Sequence, residues 1–224
     1  MGPLGASLGL ALKNIRLKNT EVVGHFLDRK TQSEVNKMNA FDSIEGNLGK
    51  AVDGAQLVVI DFPINETRDL FETLGTIVSD GAVITDMGSS KKRSAAWAEE
   101  FLPNTVSYVG GRPIIKVQLE GVAAASGNLF EGVNYCVIPS KSADDQATKT
   151  VVGLAESIGA KPYFLDVDEH DSYSAAMNNL PYLISTAFVN ATAGTESWRE
   201  MHKSAGNLFN MQSSLSANDP TDVE

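Results

Sequence analysis

The stretch Gly2-Pro3-Leu4-Gly5-Ala6-Ser7-Leu8 places two glycines directly before a helical pattern. Apolar residues continue that pattern at the three- and four-residue spacing of one helix face, at Leu4, Leu8, Ala11 and Leu12. Gly2-x-x-Gly5 matches the last two glycines of G-x-G-x-x-G, a turn that lets a pyrophosphate approach the backbone at a helix N-terminus. The stretch predicts a dinucleotide site at Gly2, Pro3, Leu4 and Gly5, with the first strand of the fold upstream of Met1.

Strand and helix patterns alternate after this opening. Strands are predicted at 21–26, 56–61, 82–86, 106–109, 134–138 and 162–165, with helices from Thr31, at 66–74, at 91–101 and at 144–158. The run 56–61 is continuously apolar, as in strands buried on both faces of a parallel sheet. The alternation predicts an α/β fold, a doubly wound Rossmann-type parallel sheet, over residues 1–166. Residues 167–224 are predicted to begin an incomplete all-helical domain.

Composition and net charge argue against some classes of function. The chain has 224 residues, 42% of them hydrophobic, and a net charge of -10. An acidic chain lacks the basic footprint that nucleic-acid binding requires. No apolar run is long enough for a transmembrane helix, and no signal peptide is evident. The single cysteine, Cys136, fits a cytoplasmic protein, and no pair among the three histidines has metal-ligand spacing.

An acidic residue after the second strand is the usual partner of the adenosine ribose in NAD sites. Asp28 stands there, and Arg29 and Lys30 follow it. These cations would instead suit the 2′-phosphate of NADP, so the expected cofactor is NAD or NADP. The alternative is a solvated cluster of loop charges.

Several further segments resemble one family in order and spacing. They are Thr85-Asp86-Met87-Gly88-Ser89-Ser90-Lys91 (T-D-x-G-S-x-K), Gly110-Gly111-Arg112-Pro113 (G-G-H-P), Asn128-Leu129-Phe130-Glu131-Gly132 (L-F-E-G), Glu169-His170-Asp171 (E-H-D) and Asn179-Leu180-Pro181-Tyr182 (H-L-P-H). Together with the opening glycines, these segments resemble the prephenate/arogenate dehydrogenases of tyrosine biosynthesis. The resemblance extends from Gly2 to about Pro220.

The resemblance implies an NAD(P)-dependent oxidative decarboxylation in aromatic amino acid biosynthesis. A hydride leaves the ring of prephenate or arogenate while the ring hydroxyl loses its proton and CO2 departs. This chemistry uses a base near the hydroxyl and cations for the substrate carboxylates. The resemblance also implies a homodimer formed through the helical domain.

The positions that correspond to the family's catalytic and substrate-binding residues depart from the family pattern. The family's catalytic histidine falls on Arg112, the histidines of H-L-P-H fall on Asn179 and Tyr182, and two late arginines fall on Asn210 and Ser214. An arginine cannot accept a proton at neutral pH, but it binds a carboxylate through two hydrogen bonds. We therefore expect Arg112 in the catalytic position as an anion clamp, with Asn179 and Tyr182 near the substrate.

Three further residues are expected near the nicotinamide. Ser89 keeps its family position beside the catalytic residue; its alternative role is the N-cap of the helix at 91–101. Asp61-Phe62-Pro63 matches a strand end that lies along the cofactor, and Thr67 follows one turn later. The alternative for Thr67 is a place on the helix surface.

Two other functions remain open. The replaced histidine and arginines would also suit a non-catalytic dinucleotide-binding relative. A dehydrogenase of another small carboxylate is the second alternative. A β-hydroxyacid-type dehydrogenase is disfavoured because the lysine-bearing helix motif of that group is not found in the sequence.

Overall fold

The computed structural model describes residues 2–117, 119 and 121–217. The chain divides into two compact units, Met1–Val167 and Asp168–Glu224. Mixed strands and helices build the first unit, and helices build the second.

The first unit alternates helices and strands along the chain. In order they are α1 Pro3–Ile15, β1 Val23–His25, α2 Arg29–Met38, β2 Ser43–Glu45, α3 Leu48–Val52, β3 Leu57–Ile60, α4 Ile64–Ile77, β4 Val83–Asp86, α5 Lys91–Phe101, β5 Ser107–Pro113, β6 Asn134–Pro139, α6 Asp145–Ser157 and β7 Lys161–Phe164. The helix predicted to start at Thr31 starts at Arg29 instead. The Asp28 side chain caps it, so the predicted start at Thr31 is wrong by two residues.

The main sheet has five strands in the order β3-β4-β5-β6-β7. The β3–β4, β4–β5 and β6–β7 pairs are parallel, which confirms the Rossmann-type α/β prediction. The expectation of a fully parallel sheet is wrong at β5–β6, which is antiparallel. Residues 114–133 join these strands with a 3₁₀ turn at Val122–Ala124 and no crossover helix in their described part. Without a crossover helix, the chain returns antiparallel.

A second, two-stranded parallel sheet is formed by β1 and β2. The lining of a cavity of about 90 Å³ includes Val23 and His25 of β1 and residues 57–60 of β3. The described residues contain no ladder between these two strands. The further strand expected from the glycine pattern stays a prediction.

Apolar side chains pack on both faces of the main sheet. On one face, α4 and α5 cover a cluster that includes Phe71, Ile84 and Tyr108. On the other face, α1 and α6 cover a cluster that includes Val137 and Val151. A third cluster joins α1 to α2, to β2 and to Val22 and Phe26 on either side of β1. Helix α1 is therefore held from two sides, which fixes the position of its N-terminus.

The second unit consists of helices in its described residues. They are α7 Val167–Ser174, a π-helical turn Ala175–Asn179, α8 Leu180–Ala193, α9 Trp198–Met201 and α10 Asn207–Ser213, with 3₁₀ turns at His202–Ser204 and Ser214–Ala217. The Ser185 hydroxyl donates to the Gln212 carbonyl at 2.5 Å. Phe188 and Trp198 pack against Phe209 with ring centroids 5.3 and 5.6 Å apart.

Candidate functional site

Three neighbouring parallel strands end at one edge of the main sheet. Ile60 of β3 pairs in register with Asp86 of β4, and β5 runs parallel beside them. Asp61 follows β3, the turn 87–90 follows β4, and Arg112 lies near the end of β5. Ligands of open α/β sheets bind at the carboxyl ends of the strands, so this edge is the candidate site.

The N-terminus of α1 points its backbone N–H groups at the end of β3. Gly2 is the N-cap residue and Pro3 is the first helical residue, a position where its missing N–H costs nothing. The Gly2 and Gly5 N–H groups donate to Asp61 Oδ2 at 2.8 and 2.6 Å. The predicted turn is therefore a helix N-terminus that holds an anion, and that anion is a carboxylate of the chain itself.

Burial raises the pKa of Asp61, and the hydrogen bonds from Gly5 and Gly2 oppose that shift without cancelling it. A β-carbon on Gly2 would stand 3.1 Å from Asp61 Oδ2. Asp61 thus occupies the space beside the backbone that this glycine leaves open. Leu4, the remaining residue of the turn, packs partly buried against the α1–α6 cluster.

The charges after β1 have a structural role. Asp28 Oδ1 accepts the Thr31 N–H at 2.8 Å as the N-cap of α2, and hydrogen bonds to Thr31 lower the Asp28 pKa. Arg29 is the first residue of that helix and is exposed. The roles predicted for Asp28 and Arg29 toward ribose or its phosphate stay predictions.

A buried ion pair fixes the turn after β4. Lys91 Nζ lies 2.5 Å from Asp86 Oδ2, and both side chains are almost completely buried. The Tyr108 hydroxyl donates to Asp86 Oδ1 at 2.7 Å, and the Gly88 N–H donates to Asp86 Oδ2 at 3.2 Å. Asp86 therefore ties both ends of the turn that carries Ser89.

Ser89 and Arg112, the two predicted catalytic residues, lie together. Arg112 Nη1 donates to the Ser89 carbonyl at 3.1 Å. The N-cap of α5 is Ser90, so the alternative role of Ser89 as N-cap is wrong. Arg112 also faces Cys136 in the β5–β6 register; burial raises the pKa of the Cys136 thiol, and the Arg112 charge partly offsets this.

Gly111 sets the path of the backbone beside Arg112. A β-carbon there would lie 2.6 Å from Tyr135 Oη, 2.8 Å from Thr85 Oγ1 and 3.0 Å from the Asp86 carbonyl. Burial, together with the Asp86 charge, raises the pKa of Tyr135 above its ordinary value. Only a glycine lets β5 pass this close to the end of β4.

Pro63 and Thr67 stand in the first turn of α4. Pro63 is the exposed N-cap residue, and Thr67 Oγ1 donates to its carbonyl at 2.9 Å. Thr67 is buried, so the alternative place on the helix surface is wrong. Their predicted proximity to a nicotinamide stays a prediction.

The expected substrate residues Asn179 and Tyr182 belong to the second unit. Asn179 closes the π-helical turn, and Tyr182 stands three residues later in α8, so both occupy neighbouring positions on one helical surface. Both are partly exposed. Their role toward a substrate stays a prediction. Groups of three or more His, Cys, Asp or Glu side chains suited to a metal are absent from the described residues.

Sequence reasoning placed Asp61, Asp86 and Lys91 in segments that resemble the family, but it assigned no role to their side chains. A charged residue at the end of an apolar strand was the available signal for both aspartates. The partners come from distant parts of the chain, and spacing alone does not reveal them.

Helices of the described residues are all too short or too polar to cross a membrane. Residues 8–164 match the sequence model of the family described as prephenate dehydrogenase, nucleotide-binding domain. The prephenate dehydrogenase of Bacillus subtilis (strain 168) is 26% identical over 197 residues, which cover 88% of this chain and 53% of that protein. The chain spans about half the length of the curated relatives it matches.

Solved structures show the same fold. A prephenate dehydrogenase from A. aeolicus, in complex with hydroxyphenyl propionate and NAD+, has a TM-score of 0.88 and 24% identity over 98% of this chain and 76% of its own. The Synechocystis arogenate dehydrogenase has a TM-score of 0.80 and 23% identity over 98% and 77% of the two chains. The match over residues 8–164 bears out the resemblance found in the motifs: the chain belongs to the prephenate dehydrogenase family and contains its nucleotide-binding domain.

Proposed function

We propose that the protein is an NAD(P)-dependent dehydrogenase of prephenate/arogenate type, which oxidatively decarboxylates its substrate. The observation that carries the proposal is the contact between Arg112 and the Ser89 backbone at the carboxyl edge of the sheet. The residues Gly2 to Gly5 at the start of α1, here called the glycine turn, reach the same edge through their hydrogen bonds to Asp61. A hydride acceptor and a carboxylate substrate would meet there.

The glycine turn suits a dinucleotide in shape. Gly2 and Gly5 have no side chains, and their N–H groups already hold an oxygen anion. That anion is Asp61, and a bound phosphate would need its place. A nicotinamide dinucleotide, when bound, supplies the hydride acceptor; NAD and NADP both remain candidates.

Arg112 would bind a substrate carboxylate rather than take a proton. Its guanidinium group stays charged at neutral pH and offers a planar fork of donors. The hydrogen bond to the Ser89 carbonyl uses Nη1 and orients the group. The fixed turn around Asp86 and Lys91 keeps this carbonyl in place.

Two other functions use the same residues. A dehydrogenase of a different small carboxylate would need only the Arg112 clamp and the cofactor turn. A non-catalytic dinucleotide-binding relative is favoured by the arginine in the histidine position, since no proton acceptor replaces that histidine at Arg112.

A steady-state assay with prephenate and arogenate, each with NAD+ and NADP+, tests the proposal. We expect turnover, and we expect Arg112→Ala to lower kcat/KM roughly 10- to 100-fold through KM, as loss of a charged carboxylate contact does. Arg112→Lys keeps the charge without the fork and should fall between the two. Arg199→Ala, on the exposed surface of α9, is the control.

The outcomes separate the three functions. Turnover of another carboxylate alone selects the second candidate. Dinucleotide binding without turnover, unchanged by Arg112→His, selects the non-catalytic relative. Failure to bind either cofactor overturns all three.

Assembly and location are part of the proposal. The homodimer implied by the family is supported by exposed apolar side chains in the second unit, at Met177, Leu180, Leu183 and Ile184. The single buried cysteine, Cys136, supports a reducing compartment such as the cytoplasm.

A further inference from the structure

We infer that Asp61 holds the position of the cofactor's phosphate and sets the affinity of the site, because a dinucleotide binds only by displacing this carboxylate from the N-terminus of α1. The inference rests on the proposed function, since it presupposes that a dinucleotide uses the glycine turn. It also explains why the turn fits a phosphate in shape but already holds an anion.

The hydrogen bonds define the competition. One oxygen, Asp61 Oδ2, accepts from both glycine N–H groups, at 2.8 Å from Gly2 and 2.6 Å from Gly5. These donors are the N-cap residue and the third residue of the helix, where N–H groups have no partner within the helix. They are the groups that a phosphate oxygen would use, together with the positive end of the helix dipole.

Asp61 and a phosphate would compete for the same space as well as for the same hydrogen-bond donors. The β-carbon position that Gly2 leaves empty lies 3.1 Å from Asp61 Oδ2 and 3.5 Å from Oδ1. Glycine at this point of a phosphate turn exists to admit the ligand close to the backbone. In this chain the carboxylate enters that space, so a phosphate cannot occupy it while Asp61 stays.

Charge makes coexistence unfavourable. The hydrogen-bond partners found for Asp61 in the described residues are the two backbone N–H groups, and no side-chain cation is among them. A pyrophosphate within a few ångströms of this carboxylate would bring like charges together, which is unfavourable. Asp61 must therefore move away from the two N–H groups before the ligand binds.

The test compares dissociation constants for NADH and NADPH, measured by isothermal titration calorimetry, in wild type, Asp61→Ala and Asp61→Asn. We expect Asp61→Ala to bind roughly tenfold or more tightly than wild type, because both the rival acceptor and the like charge are gone. Asp61→Asn keeps an acceptor without the charge and should gain less. Asp69→Asn, the same chemical change on the exposed face of α4, is the matched control and should leave the constants unchanged.

A second measurement uses inorganic pyrophosphate alone. The Gly2 and Gly5 amide resonances of Asp61→Ala should shift when pyrophosphate is added, and those of wild type should shift only at higher concentration. Retained melting temperatures for the variants show that their folds are intact.

Each result decides one point. Equal or weaker dinucleotide binding by Asp61→Ala overturns the competition and leaves the proposed function standing; weaker binding would make Asp61 a ligand contact instead. Pyrophosphate shifts without dinucleotide binding support the competition and overturn the proposed function. If neither pyrophosphate shifts nor dinucleotide binding are observed, both the competition and the proposed function are overturned.

Discussion

Two adjacent strands of the main sheet end in an aspartate, and the two carboxylates have opposite surroundings. Asp86, at the end of β4, is 2% exposed and bonds to a lysine, a tyrosine and a backbone N–H. Asp61, one residue beyond β3, is partly exposed and bonds to two backbone N–H groups of α1. The first is neutralised by a side chain of the protein, and the second is not.

The difference separates a structural charge from a replaceable one. A buried charge is tolerated when it is paired and hydrogen-bonded, and Asp86 meets both conditions. Helix N–H groups bind any suitable anion, so the position held by Asp61 can pass to a ligand. Removing partners should therefore damage the fold at Asp86 and change binding at Asp61.

The largest expected effect is at Lys91. Lys91→Met leaves the Asp86 carboxylate buried without its cation and should lower the free energy of unfolding by about 3–5 kcal/mol, as breaking a buried pair does. Urea unfolding followed by circular dichroism measures it. Lys149→Met, on the exposed face of α6, is the control and should stay within about 0.5 kcal/mol of wild type. A similar small change at Lys91 would contradict the structural role of the pair.

A smaller effect is expected where β5 passes the end of β4. Gly111→Ala would bring a β-carbon to 2.6 Å from Tyr135 Oη and should lower the free energy of unfolding by about 1–3 kcal/mol. Gly153→Ala is the matched control, because a β-carbon in this part of α6 meets no atom within 4 Å. It should raise stability by up to about 1 kcal/mol through helix propensity. Equal effects of the two substitutions would show that the Asp86 edge is not tightly packed.

The smallest effect is the pH dependence caused by Asp61. Its pKa is raised above the ordinary 3.8 by burial, so folding favours the protonated acid. The resulting stabilisation is complete below about pH 3.8 and is lost as pH rises through the raised pKa of the folded state.

Thermal unfolding of wild type and Asp61→Asn between pH 4 and pH 8 would reveal this term. Wild type should lose stability relative to the variant as pH rises, with a slope of at most about 1.4 kcal/mol per pH unit. Parallel profiles would mean that Asp61 ionises in the folded protein as it does in the unfolded chain.

The sequence predicted most of the fold because its signals are local. The run at 56–61 and the glycine turn each contain their own pattern, and both form the predicted elements. The antiparallel β5–β6 pair was not foreseen, because strand direction depends on what the connection at 114–133 does in space. The start of α2 was misjudged by two residues because Asp28 caps it in preference to Thr31.

The candidate site was predicted less completely. Ser89 and Arg112 came from motifs, and they do contact one another. The occupant of the glycine turn was not foreseen, because Asp61 lies 56 residues from Gly5 and only the folded sheet brings them together. The buried Lys91 was likewise hidden, since a lysine in a helix usually faces solvent.

The contact between α1 and the segment after Arg112 has a consequence for exchanging parts between relatives. Buried Ser7 donates to the Pro3 carbonyl at 2.8 Å and accepts the Ser126 N–H at 3.0 Å, and Val122 packs with Ala6. The first two turns of α1 and residues 122–126 are thus one packed block. A chimera that takes its glycine helix from another family member has to take this block whole.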